Sequence, residues 1–431
     1  MTLTRKWLRV LRGYLRMLWV RVTGMGLLAV VTVGSSQIIE GLLPQEVQNR
    51  ISMESADRLL NIIASAMLAV TIFSLTVMVS TYQATASQFT PRIHQLIRED
   101  AITQNTLATF IGTYVYALTA IVLREVGFFG DEGALVLFCV TVLVLSLIVW
   151  SLIHWMQHLQ VLGSLIDSCR QIEEMTRAQF QERLDTPCLG ARPMTGAPPE
   201  EGVEITTDQT GHIQIIHPEP LQHLAEELEL EIYLLHEIGA FVFYGAPLVR
   251  ITGLEDSPSE ETMDRLCRVV RNNIVVGVAR SFEQDPRFGL LTMAQIASKA
   301  LSPGINDPGT AIDIINRSGR ILSVYRDETA EEDEPLHPRL HVRPLDPDDL
   351  IDDAFSAIAR DGAAFHEVQQ RLQKVMSGLM RHPDPGLCKA ARRQAGEFLT
   401  RALEGMDWEP DRARLRASAE AGLEQDNAGP D

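Results

Sequence analysis

Cysteines are few in this chain, and no local pattern organises them. The five form neither a CxxC pair nor a cluster with histidine, and they are Cys139, Cys169, Cys188, Cys267 and Cys388. An odd, dispersed set argues against a zinc site or a disulfide framework, and it fits a reducing compartment. We therefore expect no metal site in the protein.

The common signatures of enzymes are also missing. The sequence contains no Walker A loop, GxSxG elbow, HExxH pair or kinase motif. A hydrolase built from His212, His217, His236 and Asp313 is the weakest alternative, because these residues show no recognisable spacing. The sequence thus predicts no catalytic residues and no cofactor, and it disfavours an enzymatic role without excluding one.

Acidic residues far outnumber basic ones beyond the first third of the chain. Residues 1–153 hold 11 Lys+Arg and 9 Asp+Glu; subtraction from the totals of 38 and 56 leaves 27 and 47 in 154–431, a net charge of −20. Nucleic-acid binding requires Lys and Arg to neutralise phosphates, and a broad contact with anionic lipid requires them too. The sequence therefore argues against nucleic acid as a partner.

Long apolar runs are present in the first third, and they predict a lipid bilayer as a partner. They cover residues 22–43, 59–80, 107–123 and 134–153. Each approaches the roughly 20 residues that a helix needs to cross a hydrocarbon core of ~30 Å. We predict a transmembrane domain of four helices over 22–158, preceded by a basic interfacial helix over 1–21.

The distribution of basic residues predicts the orientation of these spans. Six Lys and Arg lie in the first 21 residues, and further arginines in the expected cytoplasmic segments are Arg92, Arg98, Arg170, Arg177 and Arg183. The opposite side carries Arg50, Arg58 and Arg124, which are outnumbered by neighbouring acids. By the positive-inside rule, both termini lie in the cytoplasm.

Polar residues follow one face of the second predicted span and its extension. They recur at i, +3, +10, +14 and +17, and they are Thr71, Ser74, Thr81, Thr85 and Gln88. If several subunits turned this face inward, these residues would line a hydrated pore. The alternative is that small hydroxyl residues let neighbouring helices pack closely.

The rest of the chain predicts a cytoplasmic α+β domain. Its expected parts, in chain order, are a linking helix, a small β module, a helical domain, an acidic linker and C-terminal helices, over 159–190, 203–252, 259–328, 329–349 and 350–424. Ser259 is a suitable N-cap for the first helix after the β module. The fold class is therefore a multi-pass α-helical membrane domain of four spans, followed by a cytoplasmic α+β domain with a helical C-terminal part.

The segment LSPGINDPGTA, residues 301–311, is the most distinctive loop of that domain. Asp307 is a suitable N-cap and Pro308 a suitable first-turn residue for the helix that follows. The same corner could instead bind an anion at the helix N-terminus, assisted by Lys299, or a cation at its polar side chains. The candidate ligand-binding residues are Lys299, Ser302, Asn306 and Asp307.

Three segments of the chain carry a family resemblance. STYQATASQFTPRIHQLIRED, IGTYVYAL and DPRFGLLTMAQIASKALSPGINDPGTAID closely resemble the DUF2254 family of predicted bacterial membrane proteins. The resemblance covers nearly the whole chain. It implies a membrane domain in a bacterial inner (plasma) membrane with a cytoplasmic domain, but no substrate. It marks residues 302–308 and a second set, Ser87, Gln88, Phe89, Pro91 and Arg92, as family-pattern positions.

Two hypotheses for function follow. The first is an oligomeric channel- or transport-type protein for a small ion or solute, in which identical copies of the chain assemble and the cytoplasmic domain assembles or gates the path. The second is a membrane-anchored sensor or scaffold that binds a cytoplasmic ligand or protein at the corner formed by residues 302–308.

Overall fold

The structure is a computed structural model that describes residues 18–40, 53–88, 101–126, 134–159, 164–255, 258–330 and 334–427. The chain divides into two compact units. We call Met1–Asp167 the helical unit and Ser168–Asp431 the mixed unit. Each unit is described by itself.

Four long helices form the described part of the helical unit: α1 (Leu18–Glu40), α2 (Met53–Gln88), α3 (Ala101–Glu125) and α4 (Ala134–Leu159). Three contain stretches that are long and apolar enough to cross a membrane, namely Glu54–Thr81, Ile102–Glu125 and Ala134–Leu159. The apolar stretch of α1, Trp19–Ser35, is shorter. The structure therefore confirms three of the predicted spans as membrane-capable helices. The first predicted span is helical as far as Glu40, and its last three residues lie outside the described residues.

These helices point large apolar side chains outward and pack through small ones. Exposed side chains include Leu27, Val31, Ile62, Phe73, Val122, Leu143 and Trp150, whereas Ala29, Ala56, Ala117 and Ala120 are fully buried. At Gly112 of α3, an added Cβ would lie 2.8 Å from Met25 Cγ of α1, so the two helices approach closely. Small residues at helix contacts and apolar ones outside are typical of helices surrounded by lipid.

A long helix, α5 (Leu165–Asp185), leads into the mixed unit and is followed by a 3-10 turn, Pro187–Gly190. Its buried side chains recur every fourth residue and include Ile172, Thr176, Phe180 and Leu184. This spacing places them on one helical face. The middle of the predicted linking helix, 159–190, therefore has the structure of an amphipathic helix that packs into the mixed unit.

Within the described residues, eight strands form two sheets in the mixed unit: β1 (Ala191–Pro193), β2 (Val203–Thr206), β3 (Gly211–Ile216), β4 (Glu231–Leu234), β5 (Phe241–Val242), β6 (Pro247–Thr252), β7 (Ile274–Gly277) and β8 (His337–Val342). Sheet A has the order β1-β8-β4-β6-β2, and sheet B has the order β5-β3-β7. In sheet A, β8 runs parallel to both β1 and β4, and the other pairs are antiparallel.

The sheets extend beyond the predicted β module, 203–252. Strand β8 lies inside the segment 329–349 that we expected to be an acidic linker, so that expectation is wrong for residues 337–342. Prolines and acids around the strand concealed its alternating pattern, in which Leu340 and Val342 are buried. Strand β7 lies inside the predicted helical domain, 259–328, and it forms where a run of β-branched residues begins at Ile274.

Helices make up most of the remainder: α6 (Pro218–Glu227), α7 (Glu260–Asn273), α8 (Pro286–Ala300), α9 (Pro308–Leu322), α10 (Pro347–Ile351), α11 (Ala357–Asp361), α12 (His366–Leu379), α13 (Pro385–Gly405) and α14 (Glu409–Asn427). A π-helical turn, Asp352–Ser356, joins α10 to α11. Four of these helices begin with an Asp-Pro pair in which the aspartate caps the first turn: α8, α9, α10 and α13. The predicted caps Ser259 and Asp307 are confirmed.

Both sheets share one hydrophobic core with α6 and α7. Its fully buried members include Leu221 of α6, Ile232 of β4, Val249 of β6, Leu266 of α7 and Leu340 of β8. The solvent side of sheet A carries a polar row across all five strands, formed by Glu204, Arg250, Tyr233, His341 and Arg192. The alternation of apolar and polar residues therefore sets which face of sheet A is buried.

Candidate functional site

Hydroxyl side chains from all four helices lie buried inside the helical unit. We call this set the hydroxyl core, and its members are Thr32, Ser74, Thr103, Thr106, Thr113, Tyr116, Thr141 and Ser151. No carboxylate, ammonium or guanidinium group is among the buried groups described in this unit. The described interior of the bundle therefore holds hydroxyl groups among mostly apolar side chains, and it holds no charged group.

Most of the hydroxyl core bonds to the protein itself. Thr113 donates to the Phe110 carbonyl at 3.0 Å, and Thr141 donates to the Leu137 carbonyl at 2.7 Å. Tyr116 OH lies 3.4 Å from Thr141 Oγ1. Ser74 differs, because it is fully buried and its Oγ has no hydrogen-bond partner among the described residues. A buried polar group without a partner costs free energy. The Ser74 hydroxyl, like the buried Trp155 indole N–H that also lacks a described partner, would therefore gain from an incoming polar molecule.

Of the five predicted pore-lining residues, the structure brings only Ser74 into the hydroxyl core. Thr71 is half-buried and donates to the Met67 carbonyl at 2.7 Å. Thr81 is also half-buried, and the side chains of Thr85 and Gln88 lie outside the described residues. The face that contains Ser74 is therefore turned toward the other helices of the same chain at that position.

The two ends of the helical unit carry ionisable groups. At one end, Thr103 Oγ1 lies 3.2 Å from His158 Nε2, and the His158 ring contacts Trp155 with centroids 5.9 Å apart. Arg124 and Asp57 form an ion pair between α3 and α2. Across the described ranges, no group of three or more His, Cys, Asp or Glu could hold a metal ion.

The corner between α8 and α9 is built mainly by capping. Asp307 accepts from Thr310 N at 3.1 Å and from Thr310 Oγ1 at 2.6 Å. The hydrogen bond from the Thr310 side chain, followed by those from backbone N–H groups, lowers the pKa of the Asp307 carboxyl. Ser302 Oγ donates to the Lys299 carbonyl at 2.6 Å, and Lys299 is half-buried. Capping therefore accounts for the geometry of Asp307 and Ser302.

Two residues of the corner have no role in the cap. Ile305 and Asn306 are exposed, and Asn306 adopts a left-handed backbone with φ 53. Its N–H donates to the Ser302 carbonyl at 2.9 Å. Left-handed backbone is unusual for a residue with a side chain, although asparagine tolerates it best. The exposed part of the corner is thus held rigidly.

Asp313, which follows the corner, belongs to an ion-pair network with α5. Arg317 binds Asp313 at 2.7 Å and Glu173 at 2.6 Å, and Arg320 binds Glu173 at 2.8 Å. Burial acts to raise the pKa of Glu173, but hydrogen bonds from Arg320 and Arg317 hold it below its usual value. This network joins α9 to α5 and explains why Asp313 lies one turn beyond the corner.

A cleft of about 500 Å³ in the mixed unit was not predicted from the sequence. Five carboxylates line it, namely Glu237, Asp327, Asp346, Asp349 and Asp384. Each already has a protein partner: Asp346 and Asp384 cap helices, Asp327 accepts from Thr329 N, and Glu237 and Asp349 bind Arg287. Its lining comes from distant segments, so no local motif marks it.

Apolar helices with an uncharged hydroxyl core, joined in sequence to a unit of two sheets and many helices, define a multi-pass helical membrane protein with an attached α+β region. The chain belongs to the DUF2254 family, which is described as a predicted membrane protein and whose model matches residues 16–377.

Curated relatives come from Mycobacterium bovis and Mycobacterium tuberculosis, and each is named only as an uncharacterized protein. The chain is 27% identical to both over 282 residues, which cover 63% of this chain and 53% of each relative. The chain therefore spans about half the length of the curated relatives it matches. No solved structure matches it.

Proposed function

We propose that this protein spans the bacterial inner membrane four times, with both termini in the cytoplasm, and that it is of channel or transport type. Helix α1 is 23 residues long, and at 1.5 Å per residue it reaches about 34 Å, which is sufficient for a ~30 Å hydrocarbon core. The six basic residues before residue 22 support a cytoplasmic N-terminus. With four spans, the mixed unit lies on the same side.

The hydroxyl of Ser74 is the observation that carries the transport proposal. Packing alone accounts for Thr113 and Thr141, whose hydroxyls bond to their own helices. It does not account for a fully buried hydroxyl without a described partner. A polar molecule inside the bundle would supply the missing hydrogen bond and offset the desolvation cost of Ser74.

The proposed path runs inside the bundle of one chain rather than along an axis shared by several copies. All four helices contribute to the hydroxyl core, while their outer faces are apolar. A lining of hydroxyl dipoles without buried charge favours a small neutral polar solute or a monovalent ion over a multivalent ion, whose desolvation it could not offset. The mixed unit would gate this path or assemble copies of it.

Flux through proteoliposomes tests this proposal. Purified full-length protein is expected to pass glycerol, water or potassium faster than empty liposomes do. Ser74→Leu is expected to abolish that flux, because a larger apolar side chain replaces the buried hydroxyl.

Thr76→Leu is the matched control, since Thr76 lies on the same helix but is exposed and donates to the Ile72 carbonyl at 2.9 Å. Its flux should equal that of the unchanged protein. A chain that passes none of these three probes above background would contradict the proposal.

The second candidate is a membrane-anchored sensor or scaffold, favoured by the exposure of Ile305 and Asn306. Thermal-shift screening of small cytoplasmic anions and cations tests it. Stabilisation that is lost in Asn306→Gly, at an unchanged basal melting temperature, would support a ligand site, because glycine adopts the left-handed backbone of Asn306 without strain. If no compound stabilises the protein, the corner serves only to cap α9.

A further inference from the structure

Four large apolar side chains protrude from one end of sheet B. They are Phe241, Phe243, Tyr244 and Val278, with exposed fractions of 50%, 68%, 75% and 94%. We call this group the aromatic tip. By contrast, Val242, the neighbour of Phe241 and Phe243 in the chain, is 2% exposed and belongs to the core. The tip residues thus contribute little to the core of the unit that carries them.

Strand register brings these residues together. His212 of β3 pairs with Phe241 on one side and with Gly277, the neighbour of Val278, on the other. The Phe241 ring contacts His212 at 5.0 Å and Phe243 at 5.2 Å between centroids, both edge to face. The three chain segments that carry the tip residues are therefore adjacent at one end of sheet B.

The backbone beneath the aromatic tip is well fixed. Tyr244 N donates to Thr210 Oγ1 at 2.9 Å, and Gly245 N donates to the Thr207 carbonyl at 2.9 Å. Gly245 has φ +81, which closes the turn that presents Phe243 and Tyr244. A preorganised turn loses little conformational entropy on binding, so this surface is suited to docking.

The low charge around the aromatic tip favours a second copy of this chain over anionic lipid as its binding partner. The segments that form it, 207–212, 241–245 and 275–279, contain a single charged residue, Asp208. Contact with anionic lipid is normally supported by flanking Lys and Arg. These segments contain none, and Arg280, which follows the third segment, is paired with the buried Asp285. Two acidic units repel each other over most of their surfaces, but two uncharged tips can meet with little repulsion.

The exposed area of the aromatic tip is sufficient for a contact between two copies that are anchored in the same membrane. An aromatic side chain buries roughly 150–250 Å², so the aromatic tip offers on the order of 500 Å² at its observed exposure. A stable soluble pair needs about 800 Å² on each partner. Anchoring in one bilayer raises the effective concentration of two copies, so a smaller contact suffices.

We propose that the aromatic tip docks onto the aromatic tip of a second copy of this chain, in a twofold symmetric contact. In such a pair the same residues face each other on both copies, with Phe243 and Tyr244 at the centre. This contact joins the mixed units and does not depend on whether the hydroxyl core passes a solute.

Photo-crosslinking of the full chain in proteoliposomes tests the contact. Benzoylphenylalanine introduced in place of Tyr244 is expected to yield a covalent dimer after irradiation. The same group in place of Leu336, an apolar residue that is 72% exposed outside the tip, should yield only monomer. Adducts with lipid at Tyr244, or no adduct at all, would overturn the proposal.

A paired substitution gives an independent readout of the same contact. Phe243→Ser combined with Tyr244→Ser is expected to raise the dimer dissociation constant about tenfold or more, because burial of two rings is lost. Leu336→Ser should leave it unchanged, and both variants should keep the wild-type melting temperature. Equal dissociation constants for the double variant and the unchanged chain would overturn the proposal even if Tyr244 crosslinks.

Discussion

The hydroxyl of Ser74 is buried and has no hydrogen-bond partner among the described residues. In detergent without added glycerol or potassium, Ser74→Ala should therefore raise the free energy of unfolding by about 1 kcal/mol, since removal of an unsatisfied buried polar group is favourable. Thr76→Ala, at an exposed site of the same helix, should change it far less. Thermal unfolding of the purified variants measures both. A loss of stability in Ser74→Ala would show that the hydroxyl has a partner after all.

Asp307 stabilises α9 through its charge and its cap. Asp307→Ala should lower the free energy of unfolding by about 0.5–2 kcal/mol at neutral pH. Because the folded-state pKa of Asp307 is lowered, its charge stabilises the fold above the unfolded pKa, and this contribution is lost as pH falls through the folded value.

Melting temperatures of Asp307→Ala and the unchanged protein, compared from pH 7 down into the acid range, measure this effect. The difference between them should shrink as the carboxyl becomes protonated. Asp307→Asn is the control, because asparagine also caps helices but does not titrate. A difference that is constant with pH would contradict an electrostatic contribution.

At the scale of single elements, the close approach of α1 and α3 depends on Gly112. A side chain there would meet Met25, so Gly112→Leu should lower the free energy of unfolding by about 1–3 kcal/mol through overpacking. At Gly34 of α1 no described atom lies within 4 Å of an added Cβ, so Gly34→Leu is the matched control. Thermal unfolding in detergent distinguishes them, and equal losses would argue against the close contact.

Elements whose ends have local chemistry could be predicted from the sequence. The caps at Ser259 and Asp307 follow from side chains within three residues of the N–H groups they accept from. Apolar length similarly predicts three membrane-capable helices. Strands β7 and β8 could not be predicted in this way, because their pairing depends on β3, β1 and β4, which lie far away in the chain.

The candidate site was predictable only in part, for a similar reason. Helical spacing puts Thr71 and Ser74 on one face of α2, but the side chains against which that face packs are set by contacts among four helices. Of these two residues, Ser74 is fully buried without a described partner, whereas Thr71 bonds to its own helix. The aromatic tip depends on three segments meeting at sheet B, so the sequence gives no local indication of it.

At the scale of the whole molecule, charge and hydrophobicity are separated along the chain. The first 153 residues carry a net charge of +2, from 11 basic and 9 acidic residues, whereas the remainder carries −20. Such an acidic surface keeps the mixed units apart in solution. The aromatic tip is the uncharged exception, which is why we place the contact between copies there.

The order of strands in sheet A also bears on how the protein is made. β1 and β4 both pair with β8, and β8 leaves the ribosome roughly 150 residues after β1, on the order of ten seconds later at bacterial rates of synthesis. During that interval the nascent chain exposes an incomplete sheet beside helices already bound for the bilayer. Chaperone protection during translation is therefore expected to govern the yield of folded protein.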